Sequence, residues 1–186
     1  MKSNSGDPLY IHIILYVAIA ILTVILIKVA IIDPKDVVAV EKYNKNESRL
    51  RMDNIKEAQI IYQRKHGNFT DNLDGLISFI KNDPFVDSIV NSFDSLTMRS
   101  ANPFSPLSHG EFTPESLKFT PKSNAMYVLQ IDTSVAIDTT VNRRGRVVKV
   151  DTTIEYGTRY YLEDPDGYGT IGDLDNEALK NTASWE

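Results

Sequence analysis

From Leu9 to Ile32 the chain reads LYIHIILYVAIAILTVILIKVAII, 24 residues in which only His12, Thr23 and Lys28 are strongly polar. A helix of that length measures roughly 36 Å, enough to cross a hydrocarbon layer of about 30 Å with some tilt. A cleaved leader has a shorter apolar core, roughly 7–15 residues, followed by a small-residue cleavage site. Here IIDPKD follows instead. The pattern therefore predicts a transmembrane helix over residues 9–32, kept as a signal anchor, with the lipid bilayer as its partner. His12 and Lys28 lie near its ends, where long polar side chains snorkel to the interface. With a tail of only residues 1–8 ahead of the span, the expected orientation is tail inside and C-terminal domain outside.

Beyond Asp33-Pro34 the composition turns polar but remains helical. Residues 33–66 are expected to form a stalk helix, exposed on most faces up to about Arg51. After that point Met52, Ile55, Gln59 and Tyr62, with Ala58 beside them, recur at helical spacing and supply a core-facing stripe. His66-Gly67-Asn68 ends this helix, because Gly67 can take the left-handed cap and Lys65 and His66 suit the C-terminal dipole. Phe69 is expected to fold back into the core. Thr70 or Asp71 is expected to cap a second helix, with Leu73, Leu76, Ile77 and Ile80 on one face.

From Asn82 to Lys122 five prolines interrupt the chain, which reads as loop. The period then becomes that of strands in AMYVLQID, SVAIDTTV and RVVKVDTTIEYG, with VNRRGR as a hairpin turn and a further strand over Arg159–Leu162. The closing segment reads as a Gly- and Asp-rich loop with a short terminal helix, docked by Trp185. The fold class is thus α+β: a transmembrane helix, a stalk, and over residues 67–186 a small extracytoplasmic head of helix plus antiparallel sheet with an acidic C-terminal loop.

Charge changes this picture locally. The chain carries a formal −5, and the last 32 residues hold eight acids against Arg159 and Lys180. A nucleic-acid partner would require a basic face, which is missing. With no cysteine, disulfides, iron–sulfur clusters and thiol catalysis are excluded.

The order of elements, and the corner within IKEAQIIYQRKHGNFTDNLDGLISFI, resembles type IV pilins and the pseudopilins of type II secretion. Ala58, Tyr62, Gly67, Phe69, Leu73 and Leu76 match in kind their A…Y…G-x-Y-P…L..L pattern, and Pro34 lies about where many pilins kink their long helix. The resemblance covers most of the chain in architecture and about 25 residues in motif. It departs at the start: Gly6 precedes DPLYIHII, and no acid occurs between Tyr10 and Ile32, so the prepilin peptidase motif is lacking. The resemblance implies a single-pass protein of the bacterial inner membrane whose C-terminal domain lies in the periplasm.

Candidate chemistry is sparse. Asp164, Asp166, Asp173, Asp175 and Glu177 offer hard oxygen ligands in a turn-rich segment, as Ca2+ prefers. Asp164, Asp166, Gly169 and Asp175 fall at positions 1, 3, 6 and 12 of the EF-hand loop, although an aspartate stands in place of the final glutamate. Pseudopilins can hold calcium in a late acidic loop, so the resemblance implies the same metal; the plain alternative is a solvated acidic turn. Arg143, Arg144 and Arg146 form a basic tip fit for an acidic partner, a phosphate or a lipid headgroup, or simply a charged hairpin end. His12, His66 and His109 are dispersed, and no catalytic motif occurs. The expected function is a non-enzymatic, membrane-anchored structural subunit of an envelope assembly, its partners being other secretion proteins or further copies of itself. The alternative is an anchored ligand-binding or sensor module closed by the loops between Asn82 and Lys122.

Overall fold

The computed structural model describes residues 9–94, 99–141 and 144–186. It divides into two compact units, Met1–Tyr43 and Asn44–Glu186.

In the first unit, α1 (Leu9–Ile27) is followed by a π-helical turn, Lys28–Ile32, and by the start of α2 (Asp33–His66). The widened turn sits just ahead of Pro34, whose ring conflicts with the carbonyl four residues earlier and whose nitrogen offers no proton. The described side chains from Leu9 to Tyr43 are all exposed. Thr23 donates its hydroxyl to the Ile19 carbonyl at 2.8 Å, so its polar group is satisfied within the helix. Among the described residues, this is one helix long and apolar enough to cross a membrane.

The second unit is built on the remainder of α2. Met52, Ile55, Ala58 and Ile61 are buried against Phe69, against Leu73, Leu76, Ile77 and Ile80 of α3 (Leu73–Asn82), and against Tyr160, Leu162 and Ile171. Gly67 closes α2 at φ +85°, its N–H reaching the Gln63 carbonyl at 2.8 Å. Fully buried Gln59 then holds the chain beyond the corner. Its amide donates to the Thr70 carbonyl at 2.6 Å and accepts from the Thr70 N–H at 3.2 Å. The cap of α3 differs from expectation: Asn72, not Thr70 or Asp71, accepts from Gly75 N–H at 2.9 Å, while the Thr70 hydroxyl accepts from Asn72 N–H.

The Asn82–Lys122 segment holds more structure than its prolines suggested. Pro84 starts α4 (Pro84–Val90) at the position where a missing N–H costs nothing, with Asp83 as cap. Two short antiparallel strands, β1 (Phe93–Asp94) and β2 (Arg99–Ser100), and a 3-10 turn, Pro114–Lys118, follow. The sheet has the antiparallel order β3–β4–β5, from β3 (Val128–Val141), β4 (Val147–Glu163) and β5 (Thr170–Gly172). The segments expected as separate strands merge into β3 and β4, and β5 occupies chain expected as loop. The terminal helix is a 3-10 turn, Glu177–Leu179.

Candidate interaction site

Two features of the second unit remain once the core is accounted for: a polar seam along α2 and a hairpin arm that leaves the core.

The seam corrects the expectation of an exposed stalk up to Arg51. Asn44, Glu47, Ser48 and Asn54 are buried, at 1% exposure or less for the last three. Glu47 accepts from Arg51 Nε and from the Ser108 N–H, both at 2.9 Å. Burial raises its carboxyl, but these hydrogen bonds outweigh burial and hold it below the usual carboxylate range. Arg51 also donates to the Phe119 carbonyl at 2.6 Å. Asn54 exchanges two hydrogen bonds with the backbone of Ser105. The Ser48 hydroxyl donates to Asp164 and lies 2.8 Å from the Tyr127 hydroxyl. Burial pushes the Tyr127 phenol well up. One helix face is thus joined to four distant stretches of chain.

The arm begins where the sheet breaks register. Between the pairs Ile131–Tyr160 and Thr133–Tyr156, the single residue Asp132 faces Gly157, Thr158 and Arg159. This is an elbow of the bulge type, which bends and twists a strand pair. Asp132 is buried. It accepts from Arg159 N–H at 2.7 Å, from Arg159 Nε at 3.1 Å and from the Thr158 hydroxyl. Burial raises its carboxyl, and these donors more than offset that, so it stays below its ordinary range. Gly157 needs φ +65° there, and an added Cβ would lie 2.6 Å from the Phe69 carbonyl.

Beyond the elbow, Thr133–Val141 and Val147–Tyr156 pair as a two-stranded ribbon about 30 Å long at roughly 3.3 Å per residue. Strand alternation places Val150, Thr152, Ile154 and Tyr156 on one face, and all four are exposed; toward the tip the register shifts again, leaving exposed Val148 as an extra residue between Val147 and Lys149. Among the described residues β5 pairs with β4 only at Tyr161–Glu163, so the outer edge of β4 is open from Val147 to Tyr156. The alternation within VVKVDTTIEY predicts a strand, and VNRRGR its turn; the exposed face is what the structure adds.

The residues expected to bind calcium are placed as follows. Asp164 is buried and holds Ser48 and the Asp166 N–H. Asp166 accepts from the Ser123 N–H, and hydrogen bonds from Thr120 and Ser123 lower its carboxyl against the opposing effect of burial. Asp173 caps the N–H groups of Asn176 and Asp175, which lower its carboxyl. The backbone carbonyl of Asp175 accepts from Arg159. Glu177 opens the 3-10 turn. Among the described residues no three His, Cys, Asp or Glu side chains gather in a group that could hold a metal. At the arm's tip Arg144 and Arg146 are exposed, whereas Arg143 lies outside the described residues. Trp185 docks as expected, half-buried beneath the Arg49 guanidinium, 4.8 Å from its ring centre. Gly169 makes room for it, since a Cβ there would lie 2.5 Å from the indole.

The chain matches no family model, no curated protein and no solved structure.

Proposed function

We propose that this protein is a non-enzymatic structural subunit of a bacterial envelope assembly, anchored in the inner membrane by residues 9–32 with its head in the periplasm. The observation that carries the proposal is the arm: a two-stranded ribbon with an apolar face exposed and one edge open. Isolated two-stranded ribbons are marginal in water, and exposed apolar faces mark interaction sites. Such a device suits a protein that works by contact.

Three further observations support the reading. Leu9–Ile27 presents apolar side chains all round and buries none, the composition of a helix solvated by lipid. Within the second unit, the seam on α2 is held by hydrogen bonds whose deepest members, Glu47, Ser48, Tyr127 and Asp164, are engaged in structural pairs and offer no reactive group. The corner with Ala58, Tyr62, Gly67 and Phe69 resembles in sequence pattern that of pilins and pseudopilins.

A ligand-binding module is the second reading. It is favoured by a cavity of about 200 Å3 lined by Val86, Asn102, Phe104 and Phe112, inside the proline-interrupted segment. Small-molecule sites are commonly about 300–1,000 Å3, so this one is undersized.

The test is cross-linking in native membranes, followed by detergent purification and counting of co-purified chains. Recovery at fixed stoichiometry with envelope proteins or further copies supports the subunit reading. Recovery as a lone monomer, with cross-linking shown to work, contradicts it.

A further inference from the structure

We infer that the open edge of β4 pairs with the same edge of a second copy of this chain, antiparallel and about a two-fold axis at Thr152. This deepens the subunit reading and rests on it, because it names the partner and the register.

An open strand edge is a template for another strand, with backbone hydrogen bonds giving affinity and alternate side chains giving register. On β4 that edge forms a lane. β5 fills it at Tyr161–Glu163 and stops at Gly172, leaving Val147–Tyr156 uncovered among the described residues. The β4 sequence is self-complementary in this lane. With Thr152 facing Thr152 of the second copy, Val150 falls opposite Ile154, twice by symmetry, and Tyr156 falls at the level of the register shift around Val148. Val150, Ile154 and Tyr156 lie on one face, and all three are more than half exposed. A shift of one residue would set this apolar set against the polar positions of the partner, because side chains alternate with a period of two.

Charge selects the same occupant. In the two-fold register Lys149 falls at the position facing Glu155. The arm carries basic side chains at its tip, Arg144, Arg146 and Lys149, while Asp138 and Asp151 face each other midway along it. Antiparallel pairing sets tip beside base. It also runs each basic tip toward the β5 end of the other copy, where Asp173, Asp175 and Glu177 follow Gly172 directly. A contact in which one patch meets itself about a two-fold axis is the commonest form of self-association. An acidic peptide would meet the tip, but it would find further carboxylates midway along the arm.

The chain contains no cysteine, so single cysteines report cleanly. Facing residues of antiparallel strands have Cα atoms about 4.5–5.5 Å apart, within the span of a disulfide. The full chain in native membranes carrying Thr152→Cys is oxidised mildly, beside Asp71→Cys at an exposed head position and the double variant Lys149→Cys with Glu155→Cys. The pairing predicts a shift from monomer to disulfide-linked dimer for Thr152→Cys and for the double variant, with Asp71→Cys remaining monomeric. Equal linkage of Thr152→Cys and Asp71→Cys overturns the pairing. So does self-linkage of Val148→Cys in preference to Thr152→Cys, which would mean another register. Chemical cross-linking of the unmodified chain separates the two levels. Multiple copies without the Thr152 disulfide overturn this contact and leave the subunit reading standing, whereas monomers in both experiments overturn both.

Discussion

The backbone N–H of Phe69, at the corner after α2, donates to the carbonyl of Gly157, at the elbow of the arm, over 2.7 Å. The helix corner is therefore also the seat of the arm. Phe69 is itself fully buried, with its ring 4.8 Å from that of Tyr160, so the core fixes the position from which the arm departs. Gly157→Ala is expected to destabilise the head by about 1–3 kcal/mol or more, because it adds a steric clash to a left-handed conformation. Gly145→Ala, at φ +71° with open space around it, meets only the conformational cost of about 1–2 kcal/mol. Urea unfolding followed by circular dichroism compares the two.

Two buried tyrosines are predicted to behave in opposite ways. Tyr127→Phe deprives Ser48 of a partner inside the seam and is expected to cost about 1–2 kcal/mol. The Tyr160 hydroxyl is buried without a hydrogen-bond partner among the described residues. Tyr160→Phe is therefore expected to be neutral or stabilising by up to about 1 kcal/mol, since it removes a desolvated polar group. Thermal melts of the two variants decide. A larger loss for Tyr160→Phe would contradict the packing described here.

Acid should weaken the elbow and the seam together. The carboxyls of Asp132 and Glu47 are held below their ordinary values in the folded protein. Groups depressed in this way contribute their stability above the unfolded value, near pH 4, and lose it as the pH falls through the folded one. Melting temperature is expected to drop from about pH 4 downward, and Asp132→Asn to flatten the decline while lowering stability at pH 7.

Substitution on the exposed face of the arm should leave the fold intact. Val150→Ser and Ile154→Ser alter side chains that touch little of the core, so stability is expected to stay within about 0.5 kcal/mol of the parent. Association is expected to fall, as read by sedimentation of the detergent-solubilised chain.

The parts of this structure that were legible beforehand are those fixed by local pattern. The apolar run from Leu9, the Gly67 stop, the buried face of α3 and the alternation of β3 and β4 each announce themselves within a few turns or strand residues. What escaped depends on partners far away in the chain. Glu47, Ser48 and Asn54 look like solvent-facing stalk residues until Ser108, Asp164 and Ser105 arrive to satisfy them. Asp132 looks like an exposed strand residue until the bulge turns Arg159 onto it. The candidate site divides in the same way. The basic tip was visible as a turn, whereas the apolar face of the arm could be recognised only once the structure showed that nothing described covers it.

The central claim, that the arm joins this protein to its neighbours, is tested most directly by removing it. Residues 134–155 are replaced by Asn-Gly, keeping Asp132 and the Gly157–Arg159 elbow, and the copy number in native membranes is measured by cross-linking beside the intact chain. The account predicts that the armless protein stays folded and membrane-bound and is recovered as a monomer. Recovery of the armless protein with the same neighbours at the same stoichiometry as the intact chain would contradict it.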